Sequence, residues 1–226
     1  FPSAAHWLGT DDFGRDILSR IIFGARISLK VAFVAVSMAV ILGGTIGATA
    51  AYYSRIDNVV MRIVDLFMAI PNVLLAIAIA TALGSGERNL MIAVGISSVP
   101  MYARIVRAAV LSVKEQEYIE AATSIGASDL RIILGHIIPN ALSPVIVQAT
   151  LSVATAIILA SSLSYLGFGV QAPLPEWGAM LSSGRQYIRT YWHMTVFPGL
   201  AIMLAVYALN VVGDGLRDAL DPKMKR

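Results

Sequence analysis

Two groups of residues in this chain have types and spacings that could do chemistry, and both lie within long apolar runs. Gln148, Ser152, Thr155 and Ser162 fall along one side of a helix-length apolar segment. Hydroxyls so placed can serve a neighbour, or they bond quietly to their own helix backbone. Asp65 lies three residues from Arg62, close enough on a helix to pair. Ionisable groups in apolar segments often mark function, so a structural pair and a place beside a transport path both stand as readings of Asp65. Arg104 and Arg107 sit near the end of a run, where long side chains can snorkel.

Bond-making chemistry finds no constellation. Catalysis inside a membrane needs a nucleophile with a base, or metal ligands at usable spacing, and neither is visible. His6, His136 and His193 are too scattered for a metal motif. Cysteine is missing, which removes thiolate and disulfide chemistry without identifying a compartment.

The polar stretch from Lys114 to Asn140 offers mechanics instead. Tyr118, Ile119, Ala122 and Ile125 recur at helical spacing, with Glu115, Glu117 and Glu120 on the wetter faces. Gly126 is where the backbone can turn positive in φ and end that helix. Ser128 can cap a second helix with Leu130, Ile133, Leu134 and Ile137 on its apolar face, and Pro139 is expected to stop it. Two short helices meeting at a glycine, held by apolar runs at both ends, make a stiff protruding elbow.

The elements that must position these residues are membrane spans. The chain is 57% hydrophobic and 14% charged, against about 25% charged for a soluble domain. Five runs reach the roughly 20 apolar residues that a span needs: Ile27 to Tyr53, Val59 to Leu83, Asn89 to Val113, Ala141 to Leu166 and Met194 to Val212. The period-two alternation of a membrane barrel strand is absent, so the expected fold is an all-α polytopic helix bundle. With the 114–140 loop inside, ten of the 17 lysines and arginines fall on the inner side, a thin margin for orientation. A net charge of +3 in such a chain reports orientation, not nucleic-acid binding.

Residues 1–26 read as an extracytoplasmic segment ending in an amphipathic entry helix, its stripe made of Ile17, Leu18, Ile21 and Ile22. That helix can lie in the membrane interface or act as a solvated connector. Residues 27–226 read as one transmembrane domain. Ala39, Gly43, Gly47 and Ala51 put a small residue at every fourth position of the first span, which suits close helix packing. Pro71 and Pro100 should kink the second and third spans. Residues 167–193 form an outer loop with a short helix from about Glu176 to Tyr187. In the tail, Asp214, Arg217, Asp218 and Asp221 are spaced for ion pairs on a helix surface.

The elbow resembles the EAA loop of binding-protein-dependent ABC importer permeases. Glu120, Ala121 and Ala122, the glycine four residues on (Gly126) and the proline thirteen further (Pro139) match that pattern in identity and spacing. His136 and Ile138 depart from the usual isoleucine and leucine. The resemblance extends to His6-Trp7-Leu8-Gly9-Thr10-Asp11, Ser164-Tyr165-Leu166-Gly167, Glu176-Trp177-Gly178 and Gly213-Asp214-Gly215-Leu216-Arg217-Asp218, and it points to the second permease subunit of the dipeptide, oligopeptide and nickel branch.

The resemblance implies a type I importer permease fold of the MetI-like kind, with a sixth span upstream of Phe1. It implies a non-catalytic subunit in a bacterial or archaeal cytoplasmic membrane, carrying short peptides, with nickel or glutathione as alternative cargo. Its partners would be a homologous second permease, two cytoplasmic ATPases that hold ATP and magnesium, and an extracytoplasmic capture protein. This chain itself would bind no cofactor. Tyr118, Glu120, Ala121, Ala122, Gly126 and Pro139 would couple to the ATPase. There Ala121 and Ala122 allow close approach, and Glu120 can pair with a basic group. Asp65, Gln148, Ser152, Thr155 and Ser162 are candidates to line the path. Two other classes are more distant. An ion channel would need a selectivity-filter run that Leu166 to Val170 only faintly resembles, and a secondary transporter would need broken helices in paired repeats.

Overall fold

Asp16 begins the structure's longest helix by accepting the Ser19 N–H at 2.8 Å, which satisfies one of the donors a helix start leaves open. The helix, α1 (Ile17–Tyr52), then runs 36 residues without interruption. The entry helix and the first span are therefore one element, and no break falls at residues 26 and 27. Gly24, the residue best able to interrupt it, is instead the point where α1 packs on Pro175 and Trp177.

The computed structural model describes residues 1–220. Asp221, Lys223, Lys225 and Arg226, which enter the charge count or the tail-pairing expectation, lie outside the described residues. Eight further helices follow: α2 (Ser54–Met68), α3 (Asn72–Leu83), α4 (Glu87–Lys114), α5 (Glu117–Ser124), α6 (Asp129–Ile132), α7 (Ile138–Tyr165), α8 (Trp177–Gly184) and α9 (His193–Leu220). The described residues contain no strand, only an isolated bridge between Thr10 and Asp16. Four helices are long and apolar enough to cross a membrane: α1, α4, the run from Asp129 to Tyr165, and α9. The α2–α3 pair makes a fifth crossing if taken as one bent span.

The α1–α4 seam is built by small residues. A Cβ on Gly43 would lie 2.6 Å from the Val99 carbonyl oxygen, and one on Gly47 would overlap that of Ala103. Ala39 and Ala51 are buried along the same face. Lipid gives helices no water-exclusion drive to associate, so backbone proximity supplies the dispersion contacts instead. Against this seam pack α7 and α3, giving the main core around Val31, Ala35, Leu90, Tyr102, Ile157 and Leu163.

The three prolines expected to kink or stop helices behave differently. At Pro71 the expected kink is a full break: α2 and α3 meet at 86°. The residue before a proline is pushed away from helical geometry, and neither Ile70 nor Pro71 is buried against anything that would hold the helix straight. Pro100, by contrast, is carried inside α4 without interrupting it. Pro139 does not stop a helix either. The chain widens into a π turn over Ile133–Ile137, with the Ile138 N–H reaching the Ile133 carbonyl. That wider register relieves the crowding of a proline ring against the carbonyl four residues back. Asn140 Nδ2 donates to the His136 carbonyl at 2.7 Å, so helix continues from Asp129 to Tyr165.

At the outer end, α8 is pinned by its own cap. Glu176 is almost fully buried and accepts the Gly178 and Ala179 N–H groups at 3.0 and 2.8 Å. Its carboxylate also accepts the Ser28 hydroxyl at 3.2 Å, and Trp177 Nε1 donates to the Ile21 carbonyl at 3.0 Å. The outer helix is thus docked onto α1, with one 3₁₀ turn (Arg185–Tyr187) following it. In the tail, the expected pairing of Asp214, Arg217 and Asp218 is not seen among the described ion pairs.

Candidate coupling elbow and membrane cleft

The elbow stands on a second, separate core cluster at the opposite end of the bundle. Ile119 and Ala122 from α5, Ile132 and Ile137 from the following run, and Ala51, Val106 and Val110 from α1 and α4 bury together. Between the two short helices, Gly126 takes φ +81°. Its N–H donates to the Thr123 carbonyl at 3.0 Å, and the Ala127 N–H donates to that of Ala122 at 3.2 Å. These paired bonds form a Schellman closure, satisfying carbonyls that a helix end otherwise leaves open. Ser128 occupies the N-cap position of α6, though its side chain makes no capping bond.

The elbow is bolted to the end of α1 by side chains that sequence reasoning passed over. Tyr52 Oη donates to Asp129 at 2.7 Å and Tyr53 Oη to the same carboxylate at 3.4 Å. Lys114 Nζ donates to the Ala51 and Tyr52 carbonyls at 3.1 and 2.7 Å, meeting open carbonyls of the last turn of α1. The available signal was a tyrosine pair at a span's end followed by a lysine at the next inner end.

The apolar faces of the two short helices divide between buried and exposed residues. Ile119, Ala122 and Ile137 are buried, whereas Ile125 is 85% exposed and Leu130 68% exposed. Tyr118 and Leu134 are exposed as well. Glu120 and Ala121 project with them, while Pro139 is exposed on the far shoulder. The elbow thus carries exposed apolar and acidic side chains on a backbone held at both ends.

The pathway candidates divide. Asp65 pairs with Arg104 of α4, not with Arg62, because the turn out of α1 lays α2 beside α4. Both partners are more than half exposed, and an exposed pair contributes little stability. A cleft of about 300 Å³ between α3, α4 and α7 gathers Ser152, Thr155 and Ser162 with Asn72, Ser98 and Tyr102. Within it Thr155 donates to the Ser152 carbonyl at 2.9 Å and Ser162 to that of Ile158 at 2.8 Å, so both hydroxyls are tied to their own helix. The Tyr102 hydroxyl lies beside Ser152 but has no partner of hydrogen-bonding geometry. Gln148 bonds Ser152 at 3.3 Å yet lines a different pocket, with Arg217 and Leu220. Asn72 and Tyr102 were missed because an asparagine after proline and a tyrosine in a span read as ordinary structure.

Residues 39–226 match the family described as binding-protein-dependent transport system inner membrane component. This chain belongs to that family of permeases. The permease is 55% identical over 225 residues to a dipeptide transport system permease protein of Alkalihalophilus pseudofirmus, covering 99% of this chain and 74% of the relative. It is 48% identical over 225 residues to a glutathione transport system permease protein of Pectobacterium atrosepticum, covering 99% and 75%. In shape the permease is similar to a chain of the inward-facing MetNI methionine ABC transporter, with a TM-score of 0.74 at 19% identity, covering 91% of this chain and 98% of that one. An amino acid ABC transporter chain aligns at 0.66 and 16%, covering 89% and 94%. The expected type I importer permease fold is the one observed. The permease is a multi-pass membrane component of an ABC import system.

Proposed function

We propose that this permease supplies half of an ATP-driven path for short peptides and contributes no catalytic group of its own. A homologous permease completes the path. Two cytoplasmic ATPases carry ATP and magnesium, and an extracytoplasmic capture protein delivers the cargo to a bacterial or archaeal cytoplasmic membrane. Relatives named for dipeptide and glutathione transport, at about half identity over nearly the whole chain, support cargo of this class. Glutathione is itself a short peptide with free carboxylates, so the two names favour one chemistry over a metal ion.

The observation that carries the coupling role is the exposed surface of Tyr118, Ile125, Leu130 and Leu134 on a doubly anchored elbow. Apolar side chains at a protruding tip need cover, and a polar-rimmed apolar patch marks a protein contact. Glu120 at its edge provides the charge that fixes register, since charges across an interface set specificity. Ala121 keeps the approach close, and Gly126 sets the angle between the two helices.

Co-reconstitution of the complete importer in proteoliposomes tests this. Glu120→Ala should cut peptide uptake about tenfold or more while ATP hydrolysis loses its response to loaded capture protein. Full uptake with a normally stimulated ATPase would falsify the coupling role.

A further inference from the structure

The cleft between α3, α4 and α7 has donors and no charged lining. The break at Pro71 turns the start of α3 toward it, and Asn72 and Val73 are part of its wall. No side chain caps this 12-residue helix. The Leu74 and Leu75 N–H groups are taken by the Pro71 carbonyl, which leaves those of Asn72 and Val73 without a partner among the described residues. Opposite stands Tyr102, wholly buried, its hydroxyl unpartnered and next to Ser152. Ser98 adds a further hydroxyl to the lining. Among the described lining residues there is no Asp, Glu, Lys or Arg.

Such a site discriminates by sign. Free amides at a helix start and the dipole behind them favour an anion, and a hydroxyl can turn its hydrogen toward one. An ammonium finds no carboxylate here to offset its desolvation. With no cation in the wall, an anion is held loosely and can leave again.

We propose that this cleft is a transit subsite for the terminal carboxylate of a short peptide, received by the first amides of α3 and the Tyr102 hydroxyl beside Ser152. The proposal rests on the peptide-cargo reading and names the part of the cargo that this chain touches.

The test uses the permease–ATPase assembly in nanodiscs without capture protein, so that recognition elsewhere does not enter. Saturation-transfer NMR compares Ala-Ala with its C-terminal amide. The acid should be saturated about threefold or more above the amide, and Tyr102→Phe should remove that excess while leaving the amide signal unchanged. Asn72→Pro deletes the first amide donor at a position where proline fits a helix start, so it should also remove the excess, whereas Asn72→Ala should keep it. Basal ATP hydrolysis and melting temperature of each variant report that it is folded. Equal saturation of acid and amide, no saturation of either, or an excess that survives Tyr102→Phe or Asn72→Pro overturns the subsite. Failure of the complete importer to take up any dipeptide overturns the cargo reading instead, which a parallel uptake assay decides.

Discussion

The Arg107 guanidinium grips the Asp57 carboxylate with two hydrogen bonds, each of 2.6 Å, and so holds α2 against α4. Fork-to-fork geometry of this kind fixes orientation as well as distance. Arg104 and Asp65 repeat the link two turns further along α2, though in a more exposed setting.

Breaking the inner of these links should loosen α2. Asp57→Asn removes the charge and one acceptor, and should cost about 1–2 kcal/mol. Asp65→Asn should cost less, because its pair is more open to solvent. Thermal unfolding of the detergent-purified protein gives the order, and a larger loss at Asp65 would contradict it.

The α1–α4 seam makes a paired prediction. Gly47→Ala forces a methyl against the Ala103 carbonyl and should destabilise by about 1–3 kcal/mol. Gly44→Ala, one turn back and rotated off the seam, meets nothing nearer than Val106 Cγ2 at 3.7 Å. It should be neutral in the same melting experiment.

At Gly126 space is free but the backbone is not, since a Cβ there would have no neighbour within 4 Å while φ is +81°. Gly126→Ala should cost about 1 kcal/mol from conformational strain alone. Asn tolerates this region better, so Gly126→Asn should retain more coupling than Gly126→Ala. The ratio of peptide transported to ATP hydrolysed is the measurement, and it should fall in the order Gly, Asn, Ala. Gly126→Pro, whose φ is fixed near −65°, should abolish it.

Asp16 gives a pH dependence with a definite sign. The Ser19 backbone N–H, then the Ser19 hydroxyl and His6, hold its carboxyl below the ordinary value, which is about 3.9. A carboxyl depressed on folding adds stability above its unfolded value and loses it as the pH falls through the folded value. The melting-temperature gap between wild type and Asp16→Asn should therefore be full near neutrality and close in acid below that range. A gap that widens in acid would reverse the assignment.

Much of this architecture could be read before any coordinates. Long apolar runs located the crossings, although the helices extend past them: α1 begins at Ile17 and not at Ile27, the helix to Tyr165 begins at Asp129 and not at Ala141, and α9 runs on to Leu220. The small-residue stripe found its seam, and Gly126 its turn, since both depend on local sterics. Proline outcomes were not legible in the same way. Whether Pro71 breaks a helix and Pro139 does not is decided by neighbours: an unsupported Ile70 in one case, and a π turn with open space around Gly135 in the other. The partner of Asp65 was hidden because spacing along one helix says nothing of a second helix laid beside it. Periodicity also cannot separate a face that folds inward from one kept for a partner, so it places Ile119 and Ile125 on one apolar face although the first is buried and the second exposed. Asn72 and Tyr102 acquire meaning only once the break at Pro71 brings α3 to the wall they share.

The π turn has a mechanical corollary. Because helix persists from Asp129 through Pro139 to Tyr165, some 37 residues act as a single strut, about 55 Å from tip to tip. A displacement applied beyond the lipid headgroups meets no break in the helix along the way. It arrives at Ser152 and Thr155 as a tilt or slide of the whole rod, and only at Leu166 and Gly167, where φ turns to +93°, does the chain recover the freedom to bend.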